Sequence, residues 1–165
     1  MQDNAGLDLF ISVLLRHPEF NAVKYNAAKG EIKIEVALQG EIEVDKQELF
    51  IAEAQKCVAL FNKLSSLETG NIRITFKEYK KSDLTFLSYQ RDVESLSEEE
   101  VELFAGLLQK SFHALIIKDS GKIIAEDGFK EQIKENLLYK INRAKTSTSK
   151  FLAYRDHGRV LVFNK

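Results

Sequence analysis

The sequence predicts an α+β domain: a mainly antiparallel sheet built from hairpins, with helices packed on one face. Three observations carry this. Stretches such as EIKIEVAL and NIRITFKEY alternate apolar and polar residues with the two-residue period of a strand that is wet on one side. Each has a partner stretch a few residues away across a turn. Between these pairs lie segments whose apolar residues recur at helical spacing, and strands with a single apolar face need a layer of helices to cover it.

The first element is a short amphipathic helix over residues 6–16, with Leu7, Phe10, Ile11 and Leu14 on one stripe, Asn4 or Asp3 at its start and Pro18 at its end. NAVKYN and EIKIEVAL then form a hairpin around Ala27-Ala28-Lys29-Gly30, whose glycine is free to adopt the left-handed conformation. Asp45 with Glu48 resembles a capping box and opens a helix to about Leu64, with a stripe of Phe50, Ala54, Cys57, Val58, Phe61 and Leu64. Gly70 releases the chain into NIRITFKEY, and LTFLSYQR returns after the Lys80-Lys81-Ser82-Asp83 turn.

Ser97 with Glu100 is a capping box, and Leu96 with Val101 occupies the two staple positions, so a helix starts there. Its first turn holds Glu98, Glu99 and Glu100, where the exposed amide groups of a helix favour negative charge. A short strand is expected at residues 115–117. A further helix over residues 127–143 buries Phe129, Ile133, Leu137 and Ile141, and a polar loop leads to a terminal hairpin.

A length of 165 residues suits one domain, 1–165, with a soft boundary near 92–97. At 44% hydrophobic and 30% charged residues, the composition is that of a folded chain rather than a disordered one. A single proline and eight glycines leave no linker-like stretch. The lone Cys57 cannot form an internal disulfide, which points to a reducing cytoplasm. The apolar run near the N-terminus follows an aspartate and is far shorter than the ~20 residues of a membrane span, so a core helix is expected instead of an export signal.

Net charge is −1, which by itself selects neither nucleic acid nor membrane as partner. The distribution is uneven. Residues 92–102 contain six acids and no base, whereas residues 130–165 contain nine bases and three acids. A polarised surface follows.

The terminal pair, FLAYRDHGRVLVFNK, encloses Arg155-Asp156-His157-Gly158-Arg159. A two-residue His157-Gly158 loop opposes Asp156 to Arg159 but sets histidine at positive φ; a three-residue Asp156-His157-Gly158 loop asks only glycine for that angle and opposes Arg155 to Arg159. The second is expected. It makes Arg155 and Arg159, with His157 beside them, a candidate anion-binding fork, since guanidinium geometry suits phosphate and carboxylate. Lys140, Arg143, Lys145 and Lys150 extend it as a basic patch if the preceding helix ends near the hairpin. The plainer reading is that Asp156, another acid or water solvates the pair.

Other chemistries lack sequence support. His17, His113 and His157 are far apart and none has a metal-ligand spacing, so no metal is expected, and His17 is read as capping the first helix. Cys57 on an apolar stripe reads as a small hydrophobe. No GxSxG, GxGxxG or GxxxxGK[ST] string occurs, so no familiar hydrolase, dinucleotide or P-loop route is marked and no cofactor is expected.

The expected function is therefore that of a cytosolic binding or adaptor protein working through surface contacts, with a protein partner or self-association as a homodimer and no membrane. The alternative is binding of RNA or single-stranded nucleic acid. Its carriers are the basic C-terminal third with Tyr139, Phe151 and Tyr154, or the stretch holding Lys77, Lys80, Lys81 and Arg91 with Tyr79 and Tyr89. An enzyme with an unmarked pocket between helix and sheet is the third class.

Overall fold

The computed structural model describes residues 9, 12, 13, 16–67, 70–117, 150–156 and 159–164, and in the last two segments the side chains of Leu152 and Ala153 alone. The alternating stretches form strands β1 (Ala22–Asn26), β2 (Glu31–Gln39), β3 (Ile72–Tyr79), β4 (Leu84–Asp92), β5 (Lys150–Asp156) and β6 (Arg159–Asn164). The stretches with helical spacing form α1 (Val44–Leu64) and α2 (Glu98–Phe112). The strands make one six-stranded sheet in the order β3-β4-β2-β1-β5-β6. Every neighbouring pair is antiparallel. This is the α+β, hairpin-built architecture expected from the sequence.

Alternation decides which side of the sheet is buried. Ile32, Ile34, Val36 and Leu38 of β2 stand in one row set with Tyr25 and Val23 of β1, and with Arg91, Tyr89, Leu87 and Thr85 of β4. All of them are buried. This face packs on Phe50 and Ala54 of α1 and on Val101, Phe104, Leu108 and Phe112 of α2. Aromatic rings fill the space between the layers: Tyr89 stacks on Phe104 at 4.2 Å, and Phe50 meets Phe112 at 5.2 Å and Phe76 at 6.1 Å.

The turns follow their residue chemistry. Gly30 takes φ +63 at the end of the first hairpin, and Asn26 Oδ1 accepts the Lys29 amide at 3.2 Å, the local side-chain bond that favours asparagine in turns. Between β3 and β4, residues Lys80–Ser82 form a short 3₁₀ turn that closes on Asp83 at φ 53. Gly70 has a different role. A Cβ there would collide with the Asp92 carboxylate and the Ser95 hydroxyl, so the missing side chain lets the entry to β3 lie against the exit of β4.

The helix starts differ from the capping expectations. At α1 the N-cap is Glu43, without a side-chain bond, and Asp45 lies inside the first turn. Helical backbone begins before the aspartate, and the Gln47 side chain instead donates to the Ile42 carbonyl at 2.9 Å. The stripe of α1 also shifts at its C-terminal end: Asn62 is buried, Leu64 is 78% exposed and Cys57 is half-buried. At α2, Ser97 is the N-cap and accepts the Glu100 amide at 3.1 Å, while Leu96 and Val101 are both buried as a staple requires. Glu100, however, does not reach back. Its carboxylate turns into the core.

The short strand expected at residues 115–117 is reduced to a single bridge, Leu38 to Ile116, flanked by bonds from Gln39 N to Leu115 O at 2.8 Å and from Ile117 N to Ala37 O at 2.9 Å. It satisfies the part of β2 that runs past the end of β1. Near the N-terminus Leu9, Ser12, Val13 and Arg16 are helical, and Leu9 and Val13 enter the core. The helix expected at 127–143 lies outside the described residues. Among the described residues no helix is long and apolar enough to cross a membrane.

Candidate functional site

Two groups of polar side chains emerge, one sealed inside and one on the outer face of the sheet. The inner group is built on Arg91, which shares the helix-facing row of β4 with Leu87 and Tyr89 and is 1% exposed. Its Nε donates to Glu100 Oε2 at 2.7 Å and its Nη2 to Glu100 Oε1 at 2.8 Å, a two-point pair. The remaining N–H groups go to Asp92 Oδ1 at 2.7 Å, to the Ser95 carbonyl at 3.2 Å and to the Asn71 carbonyl at 3.4 Å. Tyr89 Oη donates to Glu100 Oε2 at 2.7 Å, and Asn62 Nδ2 of α1 donates to Glu100 Oε1 at 3.3 Å.

The electrostatics are those of a closed site. Burial works against a charged Arg91, but the bond to Glu100 and the negative charge of Glu100, with Tyr89 and Asp92 adding to it, together outweigh that cost, so the guanidinium is held above its ordinary value. Burial, reinforced by the adjacent Glu100 carboxylate, pushes the Tyr89 phenol far above the usual tyrosine range. Asp92 would be raised by its partial burial, but the Ser95 hydroxyl and Arg91 hold it below the ordinary range. Every guanidinium N–H has an acceptor, so the group joins β4, α1, α2 and the start of β3. It offers no open position to a ligand.

The outer group follows from the other phase of the same strands. On this face the register lines up Arg73, Gln90, Lys33 and Lys24 across β3, β4, β2 and β1. The next row is Thr75, Ser88, Glu35 and Ala22. Glu35 bridges Lys24 at 3.1 Å and Lys33 at 3.9 Å. Towards the β3–β4 turn come Lys77 and Tyr79. Tyr79 is 42% exposed, and its ring stands edge-on to Phe86 at 5.2 Å and 86° and has the Lys77 ammonium 5.2 Å from its centre. Arg73, Lys77, Lys80 and Lys81 are exposed. Chemically this corner offers cations beside an accessible ring on a firm sheet.

Of the residues singled out from the sequence, Tyr89 and Arg91 are removed from any binding surface, because their strand phase turns them into the core. The terminal hairpin also corrects an expectation. Asp156 pairs with Arg159 and Arg155 with Val160, so the register is that of the two-residue His157-Gly158 loop, and the arginines are not cross-strand partners. Opposite charges facing each other favour that register over two facing arginines. Arg155, Arg159 and Lys150 lie in strands whose side chains at those positions are not described, and His157, Lys140, Arg143 and Lys145 lie outside the described residues.

The His17 Nδ1 lies 3.1 Å from Glu19 Oε1 and the ring packs on Phe20 at 4.8 Å, while the last turn of the helix it is expected to cap lies partly outside the described residues. His113 is exposed and contacts Gln109 at 3.4 Å. Among the described residues no group of three His, Cys, Asp or Glu side chains gathers to hold a metal ion. Of the six acids in residues 92–102, Asp92 and Glu100 pair with Arg91, and Glu98 and Glu102 pair with Arg16.

The row from Arg73 to Lys24 was the part that motif reading passed over. Its signal is the polar phase of EIKIEV and NIRITFKEY, which becomes a site only when the register sets the strands side by side. Comparison with protein-family models, with curated proteins and with solved structures finds no match for this chain.

Proposed function

We propose that this protein is a binding module that acts by surface contact, and that the outer face of its sheet is the contact surface. The observation that carries the reading is the cross-strand row Arg73, Gln90, Lys33 and Lys24, which spans four strands opposite the helical layer. Among the described residues the helices pack on one face of the sheet, and polar side chains on the rigid strands of the other face hold their spacing better than those on loops. The buried arginine cluster supports the same reading from inside, because the most elaborate polar network among the described residues is closed to ligands.

The partner is a second copy of the chain or a different macromolecule, and the lone Cys57 suits a reducing cytoplasm. A photo-crosslinking residue at Thr75, on the outer face, is expected to give adducts in cells, whereas one at Lys56, exposed on α1, gives none. Adducts at Lys56 alone would move the contact surface to the helices and end the proposal. Light scattering at several salt concentrations distinguishes the two partners: a monomer throughout removes the second copy.

A further inference from the structure

Resting on the reading of the outer sheet face as the contact surface, we infer that its partner is a single-stranded nucleic acid, gripped at the corner formed by β3, its turn and β4. Tyr79 supplies a stacking surface and Arg73, Lys77, Lys80 and Lys81 the phosphate contacts.

Charge complementarity selects an anionic occupant. Three exposed cations, Lys77, Lys80 and Lys81, stand at this corner against Glu78 and Asp83, with Arg73 further back on the same face of β3, and the Asp83 carboxylate already accepts from Gln39 Nε2 at 3.3 Å. The aromatic ring selects the kind of anion. Tyr79 is braced edge-on by Phe86 and remains 42% exposed, so it is held in place without being covered. An acidic peptide would neutralise the lysines and leave that ring unused; a nucleotide uses both, its base on the ring and its phosphate on the cations. The Lys77 ammonium beside the ring is placed for this exchange, since a base stacking there brings a phosphate to the displaced cation.

The support beneath the corner is rigid. Lys77 and Tyr79 pair in register with Phe86 and Leu84, and the 3₁₀ turn at Lys80–Ser82 fixes the two following lysines at the end of the strand. A single strand crossing this edge therefore meets a fixed ring and a fixed run of charge. Nothing in that arrangement reads base edges, so binding tolerant of sequence is expected.

The test is fluorescence anisotropy of the full chain with labelled single-stranded RNA and DNA of about 16 nucleotides. With four cations engaged, log K is expected to fall against log salt with a slope of about −3. Changing Lys77, Lys80 and Lys81 together to Gln should reduce the magnitude of that slope by about 2. Tyr79→Ala should weaken binding roughly 5- to 100-fold, while Tyr79→Phe keeps it, with unchanged urea midpoints showing intact folding. Binding indifferent to these substitutions overturns the inference, as does duplex DNA binding as tightly as single strands, or no binding at low salt. If binding is absent and Thr75 still crosslinks in cells, only the nucleic-acid assignment fails; if both are absent, the contact-surface reading fails with it.

Discussion

An arginine at 1% exposure is tolerable only when its charge and all of its N–H groups are met, and Arg91 satisfies both through Glu100, Asp92 and two carbonyls. The net stability of such a pair is small, because desolvation opposes the attraction. Removing one partner is another matter. Glu100→Gln leaves a buried cation facing a neutral amide and is expected to lower unfolding stability by about 3 to 5 kcal/mol in urea titration. Arg91→Met combined with Glu100→Leu should be less harmful than either single change, and strictly additive losses would show that the two side chains do not act as a pair. The pair was only half legible. Leu87, Tyr89 and Arg91 share one strand phase, so the row was readable, but charge argues for the surface, and a glutamate three residues after an N-cap serine reads as a capping residue.

At the scale of elements, alternation and helical spacing located β1 to β4, α1 and α2, because each stretch has one apolar face and a turn residue at its end. Helix starts were harder. Both carry an acid near a small polar residue, yet only Ser97 makes the side-chain bond, and Val44 ahead of Asp45 enters the helix first. Ser97→Ala should therefore cost about 1 kcal/mol. Asp45→Ala should cost only the interaction of its charge with the helix end, about 0.3 kcal/mol. Equal losses in thermal or urea unfolding would contradict the cap assignment. Hairpin pairing was visible locally, but the order of hairpins in the sheet was not, since nothing in β5 names β1 as its neighbour. The candidate binding row was hidden for the same reason: its members are scattered in sequence and meet only through register.

For the whole molecule, the same cluster contributes to the dependence of stability on pH at both ends of the scale. Asp92 is held below its ordinary range, so the unfolded chain binds that proton more tightly than the folded one. The Asp92 contribution is full above about pH 3.9 and is lost as pH falls through the lowered folded value. Tyr89 is raised, so its contribution is full below about pH 10 and is lost as pH rises towards the folded value. Urea midpoints measured against pH should show both limbs. Asp92→Asn should flatten the acid limb and Tyr89→Phe the alkaline one; an alkaline limb unchanged by Tyr89→Phe would mean that another group controls it.

The strand order has a consequence for how the chain is made. The hairpin of β1 and β2 sits at the centre of the sheet, its β2 side covered by β4 and its β1 side by β5. During synthesis the first cover leaves the ribosome soon after the hairpin, whereas the second begins only at Lys150. Throughout that interval β1 exposes bare amide and carbonyl groups beside Val23 and Tyr25, an inviting template for a neighbouring nascent chain. The sheet closes safely only once late residues come back to one of the earliest strands.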